Sequence, residues 1–495
     1  MVRDPGGGPV LDHRHSAAGG GDVLAQAAVE GNVLADKVRD EVFWILGAAR
    51  SGCAAGALLR RHGAVVVGID DQQEADLGRR WEREGLTDLA PRAFDELLTG
   101  GLRPAEQPLP RAVIVSPGVP GGHDLLAGLP TGVEVMGELE LASRFCRAEL
   151  VAITGTNGKS TTTAWCAHVL GHEGRRVEAV GNLGRPLALV ADELEAEDAA
   201  VVEVSSFQLE TMRTFSPRAA AILNLAPDHL DRYATLQDYC AAKRIMAGLV
   251  PAGGSLVVWT GCPEAVAWPT VGRRVLYGDP SQDTTVYLDE GWLMARDDAG
   301  CARRILPTAH LSLKSPPNVL NAQAVAALGL SLGLDRERIA AGLRDFPGLA
   351  HRHQVVGRLG AVEFINDSKA TNVHAVCAGL TGYPRPVVLI AGGSGKGEDF
   401  APLAAAMGAV VTVLTIGDEG PRIAEALRDR VPVEEKDNLH DAVARAADIA
   451  TARDAVVLLS PACASFDMFA NYRDRGRAFA AAVADLGAEM IDPRP

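Results

Sequence analysis

The chain has 495 residues, of which 47% are hydrophobic, and carries a formal net charge of −15. That length suits several domains, each with its own core, and the acidic balance argues against nucleic acid as the main partner. No apolar run reaches the length of a membrane span, and eight scattered cysteines without a C-x-x-C pair fit reduced thiols rather than a zinc or disulfide framework.

Residues 1–40 are rich in Gly, Ala, Asp and His and lack the apolar stretch of a signal peptide, so a disordered extension is expected there. VFWILGAARSG, from Val42, then reads as a strand, a turn and a helix start, with the helix expected over 52–62. AVVVGID follows as a second strand ending at Asp70, with Asp71 beside it. This is the opening βαβ of a Rossmann-like unit, and an acid at that strand end suits a sugar hydroxyl or a base edge. The middle glycine of the dinucleotide fingerprint is Ala49, which hinders close approach to a pyrophosphate, so a UDP-type nucleotide is as physical a reading as NAD. AVIVSPGVP is a buried strand running into a loop where Ser116, Pro117 and Gly118 present backbone to a ligand or simply turn the chain. GELELASRF, from Gly137, reads as a helix leading into a second domain.

That domain opens on VAITGTNGKSTTT: a buried strand at Val151, then Gly155, Thr156, Asn157 and Gly158, then Lys159, Ser160 and Thr161 starting a helix expected to end near Leu170. The glycines let backbone N–H groups turn inward onto phosphate oxygens, the helix N-terminus adds partial positive charge, and Lys159 adds a full one. The hydroxyl of Ser160 suits a Mg²⁺ ligand, although the common loop would place a glycine where Ile153 stands. Asn182 sits between glycines in a turn that is either a ligand contact or a plain Asn-Gly turn. Glu203 interrupts a buried strand, where a carboxylate is costly unless paired or bound to a cation, so a Mg²⁺ ligand is expected. A further strand ends in Asp228, His229, Asp231 and Arg232, and a histidine in that acidic loop suggests a catalytic or metal role. Residues 259–307 alternate apolar strands with polar turns and carry no evident chemistry, and a helix is expected from Val319.

TGTNGKST, EVSSFQLE, DHLDRY, INDSKATN and LSPACASFD together resemble the Mur ligase family of peptidoglycan synthesis, from about Val42 to Gly487. SPGVP, INDSKATN and SPACASFD resemble its D-glutamate-adding branch, and the family's short phosphate loop matches the spacing here. The resemblance implies an α/β chain of three domains: a Rossmann-like N-terminal domain (41–139), a central P-loop ATPase-like domain (140–348) and a C-terminal Rossmann-like domain (349–495). It implies ATP-dependent joining of D-glutamate to UDP-N-acetylmuramoyl-L-alanine through an acyl phosphate, by a cytoplasmic monomer that uses ATP and two Mg²⁺ ions and needs neither nucleic acid nor membrane.

The residue roles it implies are specific. Lys159 would hold the ATP phosphates, Ser160 and Glu203 one Mg²⁺, and His229 the second, with Lys243 carbamylated into an anion; read without the resemblance, Lys243 is an exposed helical lysine. Arg50, Ser51, Asp70, Asp71, Gly118 and Asn182 would contact the UDP substrate. Asn321 would lie near adenine, although Pro317 replaces the family's usual histidine there. Arg352 would reach a phosphate on closure, Asp367 would hold the ribose, and Lys369 would support the phosphates. Thr371, Ser465 and Tyr472 would form the D-glutamate pocket; read from the residues themselves, Lys396 is the cationic partner of a substrate carboxylate and Cys463, with no assigned histidine partner, is a small packed residue. Another ligase of the same class and a non-catalytic nucleotide sensor are the alternatives. The set of Lys159, Glu203, His229 and Lys243 speaks against the sensor, which needs no second metal.

Overall fold

Among the described residues, three sheets carry the fold. The computed structural model describes residues 37–101, 108–120, 122–228, 232–297, 299–381, 383–395 and 397–491. The expected extension up to residue 36, His229 and Lys396 lie outside the described residues.

In the first sheet the parallel strands Glu96–Leu98, Val65–Ile69, Val42–Leu46, Ala112–Val115 and Glu134–Gly137 lie side by side in that order. Their valine and isoleucine runs are buried on both faces, as parallel strands require. The order reverses between Val42–Leu46 and Ala112–Val115, so the loops after these two strands open on one crevice, where such sheets bind ligands. Gly47 (φ +92°) is needed there, because a Cβ would stand 2.9 Å from Ser116 Cβ. The first helix is Arg50–Arg61, two residues earlier than expected. Val38, within the stretch expected to be an extension, is fully buried in this core, and Asp40 N donates to Gly63 O at 2.9 Å.

The second sheet orders its strands as Ala302–Pro307, Trp292–Arg296, Thr284–Asp289, Arg273–Gly278, Ser255–Trp259, Ala219–Ile222, Glu149–Thr154, Ala199–Glu203 and Val177–Gly181, antiparallel only at the first edge. Glu149–Thr154 lies between Ala219–Ile222 and Ala199–Glu203, all parallel. Their carboxyl ends therefore deliver the glycine loop, Glu203 and Asn224 to one edge. Helix Pro316–Ser331 begins three residues before the expected Val319, because both prolines fit a first helical turn, whose N–H groups have no helical partner.

The third sheet runs Val433–Glu435, Val410–Ile416, Val387–Gly392, Val456–Leu459, Val362–Asn366, Gln354–Leu359 and Glu489–Met490. Val456–Leu459 pairs in parallel with both Val387–Gly392 and Val362–Asn366, so three strand ends again converge.

The first two sheets share one continuous apolar core, from Phe43 and Leu58 through Leu139 and Leu187 to Ile222 and Val258. Arg61 and His62 clamp Asp192 at 2.7 and 3.1 Å across this junction. Glu138 is buried there and accepts Ala188 N at 2.7 Å, and burial pushes its carboxyl up to about 7.

Candidate functional site

The glycine loop is built as a strand-to-helix turn. Gly155 (φ +144°) and Gly158 (φ +84°) adopt backbone angles open to glycine, and helix Lys159–Gly171 starts immediately after. Asn321 packs against Gly158 so closely that a Cβ there would stand 2.5 Å from Asn321 Oδ1. Asn224 braces the loop from the neighbouring strand end: its Oδ1 accepts Asn157 N at 2.9 Å, and its Nδ2 donates to Asn157 O at 3.0 Å. Thr156 Oγ1 donates to Ala226 O at 3.1 Å and accepts Ala226 N at 3.0 Å. Thr156 and Asn157 thus shape the loop, while Ser160 and Thr161 are buried in the first helical turn.

Lys159 Nζ folds back onto the loop, donating to Gly155 O at 3.0 Å and Thr156 O at 2.7 Å. Desolvation by the surrounding protein lowers its pKa, against the carboxylates of Glu203 and Asp228. Lys243, on helix Leu236–Leu249, is 1% exposed rather than the exposed lysine its helix pattern suggests. Its Nζ donates to Gly155 O at 2.8 Å and sits 4.7 Å from the centre of the Tyr239 ring. Burial, and then the charge of Lys159, holds this amine well below the usual lysine range.

Glu203 is 2% exposed at the end of its strand. Its Oε1 accepts Asn182 Nδ2 at 2.7 Å, and its Oε2 is buried with no hydrogen-bond partner among the described residues. A buried carboxylate oxygen without a donor is costly unless a cation meets it. Ser160 offers an oxygen ligand in the adjoining helical turn, and the donor set of carboxylate and hydroxyl oxygens suits a hard cation such as Mg²⁺.

Arg50, Ser51, Asp70, Asp71, Gly118 and Asn182 all line one cavity of about 510 Å³ between the first and second sheets. Asp70 also holds its own turn: Oδ2 accepts Ala48 N at 2.8 Å and Oδ1 accepts Gln72 N at 3.0 Å, so only its remaining lone pairs can reach a ligand. His123, not anticipated from the sequence, lines the same cavity and lies 2.9 Å from Asp71 Oδ2. Arg232 ties the walls together, donating to Pro117 O at 3.2 Å and to Glu210 Oε2 at 2.7 Å.

On the third sheet, Asp367 follows strand Val362–Asn366 and accepts from Ser460 Oγ at 3.0 Å and His353 N at 3.2 Å. Burial pushes its carboxyl up to about 7, against the Arg352 guanidinium. Lys369 Nζ lies 4.3 Å over the Tyr472 ring. Thr371 follows strand Val362–Asn366, while Ser465 and Tyr472, the latter opening helix Tyr472–Asp485, follow strand Val456–Leu459; the two segments are tied by Ala462 N to Ala370 O at 3.0 Å and Ser368 Oγ to Tyr472 O at 2.8 Å. The organiser that sequence reasoning missed is Arg475, 0% exposed. Its guanidinium donates to Ser368 O, Cys463 O and Ala464 O at 2.9–3.0 Å, and burial lowers it to about 10.

The second and third domains meet at the loop itself. Asn157 Nδ2 donates to His374 Nδ1 at 2.6 Å, and the charge of Arg352 is felt at Lys159. A cavity of about 910 Å³, lined by Asn318, Arg352 and His353, opens between segment 309–318 and the linker 348–355.

Comparison with known proteins bears on these features. The Mur ligase middle domain matches residues 153–328, and the Mur ligase glutamate ligase domain matches residues 351–463. A UDP-N-acetylmuramoylalanine–D-glutamate ligase of Anaeromyxobacter dehalogenans is 40% identical over 453 residues, covering 88% of this chain and 96% of that protein. The enzyme of the same name from Myxococcus xanthus is 40% identical over 451 residues, with the same coverage. The MurF ligase of Thermotoga maritima, solved in complex with ADP, shares the fold at a TM-score of 0.55 and 15% identity, covering 85% of this chain and 96% of that one.

Proposed function

The chain belongs to the Mur ligase family, and from that premise we propose that it joins D-glutamate to UDP-N-acetylmuramoyl-L-alanine at the expense of ATP, in the synthesis of peptidoglycan precursors. The observation that carries this reading is the convergence of Lys159, Lys243 and Glu203 on one sheet edge, beside a cavity that holds every residue expected to meet the UDP substrate.

The chemistry follows from charge. ATP and a substrate carboxylate repel each other, and a site that joins them must neutralise both. Lys159 and the start of helix Lys159–Gly171 face the phosphates. Glu203 and Ser160 would hold a Mg²⁺, which supplies further charge neutralisation at the phosphate oxygens. The carboxylate oxygen of the substrate takes the γ-phosphoryl group and ADP departs. The D-glutamate nitrogen then attacks the acyl carbon, the amide bond forms, and inorganic phosphate leaves with the bonding pair. The nitrogen must attack as a neutral amine, and either His229 or Asp228, whose charge acts on Lys159 and Lys243, would take its proton.

The finer roles are part of the same proposal. Lys243, whose amine is held well below the usual lysine range by burial and by the charge of Lys159, more readily offers the free amine that CO₂ requires, and its carbamate would serve a second Mg²⁺ together with His229. Asn182 is oriented by Glu203 toward the muramoyl-alanine portion, with Arg50, Ser51, Asp70, Asp71 and Gly118 around the nucleotide. Arg352, Asp367 and Asn321 serve ATP, and Thr371, Ser465, Tyr472 and Lys396 serve D-glutamate. Eight unpaired cysteines support a reducing, cytoplasmic setting, and we assign the activity to a monomer. Among the described residues no helix is long and apolar enough to cross a membrane.

Phosphate release measured with each candidate amino acid tests the substrate assignment. D-Glutamate should support turnover with UDP-N-acetylmuramoyl-L-alanine, and preference for another amino acid would overturn it.

A further inference from the structure

Helix Lys159–Gly171 begins at the phosphate loop, and at its far end it presents two histidines one turn apart. His168 Nε2 lies 2.7 Å from Asp345 Oδ1, and His172 Nε2 lies 3.3 Å from the same oxygen. Asp345 ends helix Arg336–Asp345, so the group joins two helices. The three ligand atoms lie within 4.8 Å of one another. Histidines four apart on a helix point to the same side, and this spacing lets two imidazoles share one ion.

The packing beneath fixes this arrangement. Trp165 Nε1 donates to Gly342 O at 3.1 Å, and Gly342 sits where a Cβ would be 2.8 Å from Val169 Cα. Phe346 stacks on Trp165 at 5.2 Å between ring centroids, and the His168 ring lies 5.6 Å from Phe346. The backbones that carry the ligands are therefore held at close range, and the side chains need only small rotations to open room for an ion. Ligands bound tetrahedrally at about 2.0–2.2 Å stand roughly 3.4 Å apart. The Asp345–His172 separation of 3.3 Å already matches that spacing, the Asp345–His168 pair at 2.7 Å must widen, and the two imidazole nitrogens stand within 4.8 Å of each other.

We propose that His168, His172 and Asp345 form a binding site for one zinc-class divalent ion, which clamps the C-terminal end of the phosphate-loop helix to helix Arg336–Asp345. Two imidazoles and one carboxylate form a borderline-soft donor set that favours Zn²⁺ over Mg²⁺. The site leaves a fourth position to solvent, since the three side chains are 27–54% exposed. Helical rise puts it on the order of 15–20 Å from Lys159, so it is separate from the cations that would serve ATP. Because the ion would bind only the folded arrangement of the two helices, it stabilises the fold by mass action.

The test uses the full-length protein, stripped with a chelator and kept in excess Mg²⁺ so that the catalytic cation positions are filled. Zn²⁺ is titrated by calorimetry, thermal unfolding is followed in parallel, and Co²⁺ serves as an optical probe. Wild type should bind about one equivalent of Zn²⁺, gain thermal stability, and give a Co²⁺ spectrum of nitrogen and oxygen ligands without thiolate charge transfer. His172→Gln and Asp345→Asn should each weaken that binding roughly ten-fold or more and lose the Zn²⁺-dependent gain in stability. Both variants should keep ligase turnover in Mg²⁺ alone. Circular dichroism identifies a variant that fails to fold, in which case the other variant decides. Unchanged Zn²⁺ affinity in a folded variant, no Zn²⁺ binding by wild type, or a thiolate band retained in the variants would each overturn the site.

Discussion

Lys159 and Lys243 donate to the same carbonyl oxygen, that of Gly155, at 3.0 and 2.8 Å. Two ammonium groups on one acceptor repel each other, and Lys243 is the more deeply enclosed, so burial and that repulsion hold its amine well below the usual lysine range. A lysine whose charge is disfavoured in this way more readily offers a free amine to CO₂. Isotope-labelled bicarbonate should give a carbamate signal by carbon NMR that is missing in Lys243→Gln, and turnover of the wild type should fall when CO₂ is stripped. Equal signal in both proteins would remove Lys243 from this role.

Glu203 Oε2 is buried without a donor among the described residues, while Oε1 holds Asn182. Glu203→Gln keeps the shape and the Asn182 contact but removes the charge. Turnover should drop by about 100-fold or more, with a higher Mg²⁺ requirement and, without Mg²⁺, a melting temperature no lower than that of wild type. A variant with normal Mg²⁺ dependence would show that Glu203 serves only the fold.

Arg475 ties two loops around the expected D-glutamate pocket, through Ser368 on one and Cys463 and Ala464 on the other. Lysine cannot reach all of these acceptors, so Arg475→Lys leaves buried carbonyls unpaired. The expected loss is about 3 kcal/mol of stability, together with a rise in KM for D-glutamate larger than the fall in kcat. Denaturant unfolding and steady-state kinetics check both parts.

Much of this site could be read from residue types alone. A buried strand followed by glycines, lysine and serine admits few other structures, and Glu203 stood out as an acid within an apolar run. Asn224 and Arg475 could not be found that way. Asn224 resembles any asparagine after a strand, and Arg475 lies on a helix with an ordinary charged pattern, its burial set by loops far away in the chain. Lys243 was legible only through family resemblance, because its helix pattern is that of a solvated face. The common core of the first two sheets was also hidden, since Leu58, Leu139 and Leu187 each satisfy a local pattern whichever partner covers them.

Glu138 supplies a pH test of that junction. Its folded carboxyl titrates near 7 because of burial, against 4.5 ordinarily. Between these values the folded protein binds a proton that the unfolded chain has lost, so stability falls as pH rises through this window. Above it the penalty is complete, on the order of 3 kcal/mol. Glu138→Gln keeps an acceptor for Ala188 N and should flatten this part of the pH–stability curve, making the variant more stable than wild type at pH 8 and similar to it at pH 4. Parallel curves would show that Glu138 stays ionised.

The most direct measurement is the consumption of UDP-N-acetylmuramoyl-L-alanine by wild type and Lys159→Ala, with ATP, Mg²⁺ and D-glutamate each present or omitted. Wild type should form the amide product with equimolar phosphate only when all are present, and the folded Lys159→Ala protein should form none. Product formation without ATP, or near-normal turnover by Lys159→Ala, would contradict a reaction driven by charge neutralisation at the phosphate loop.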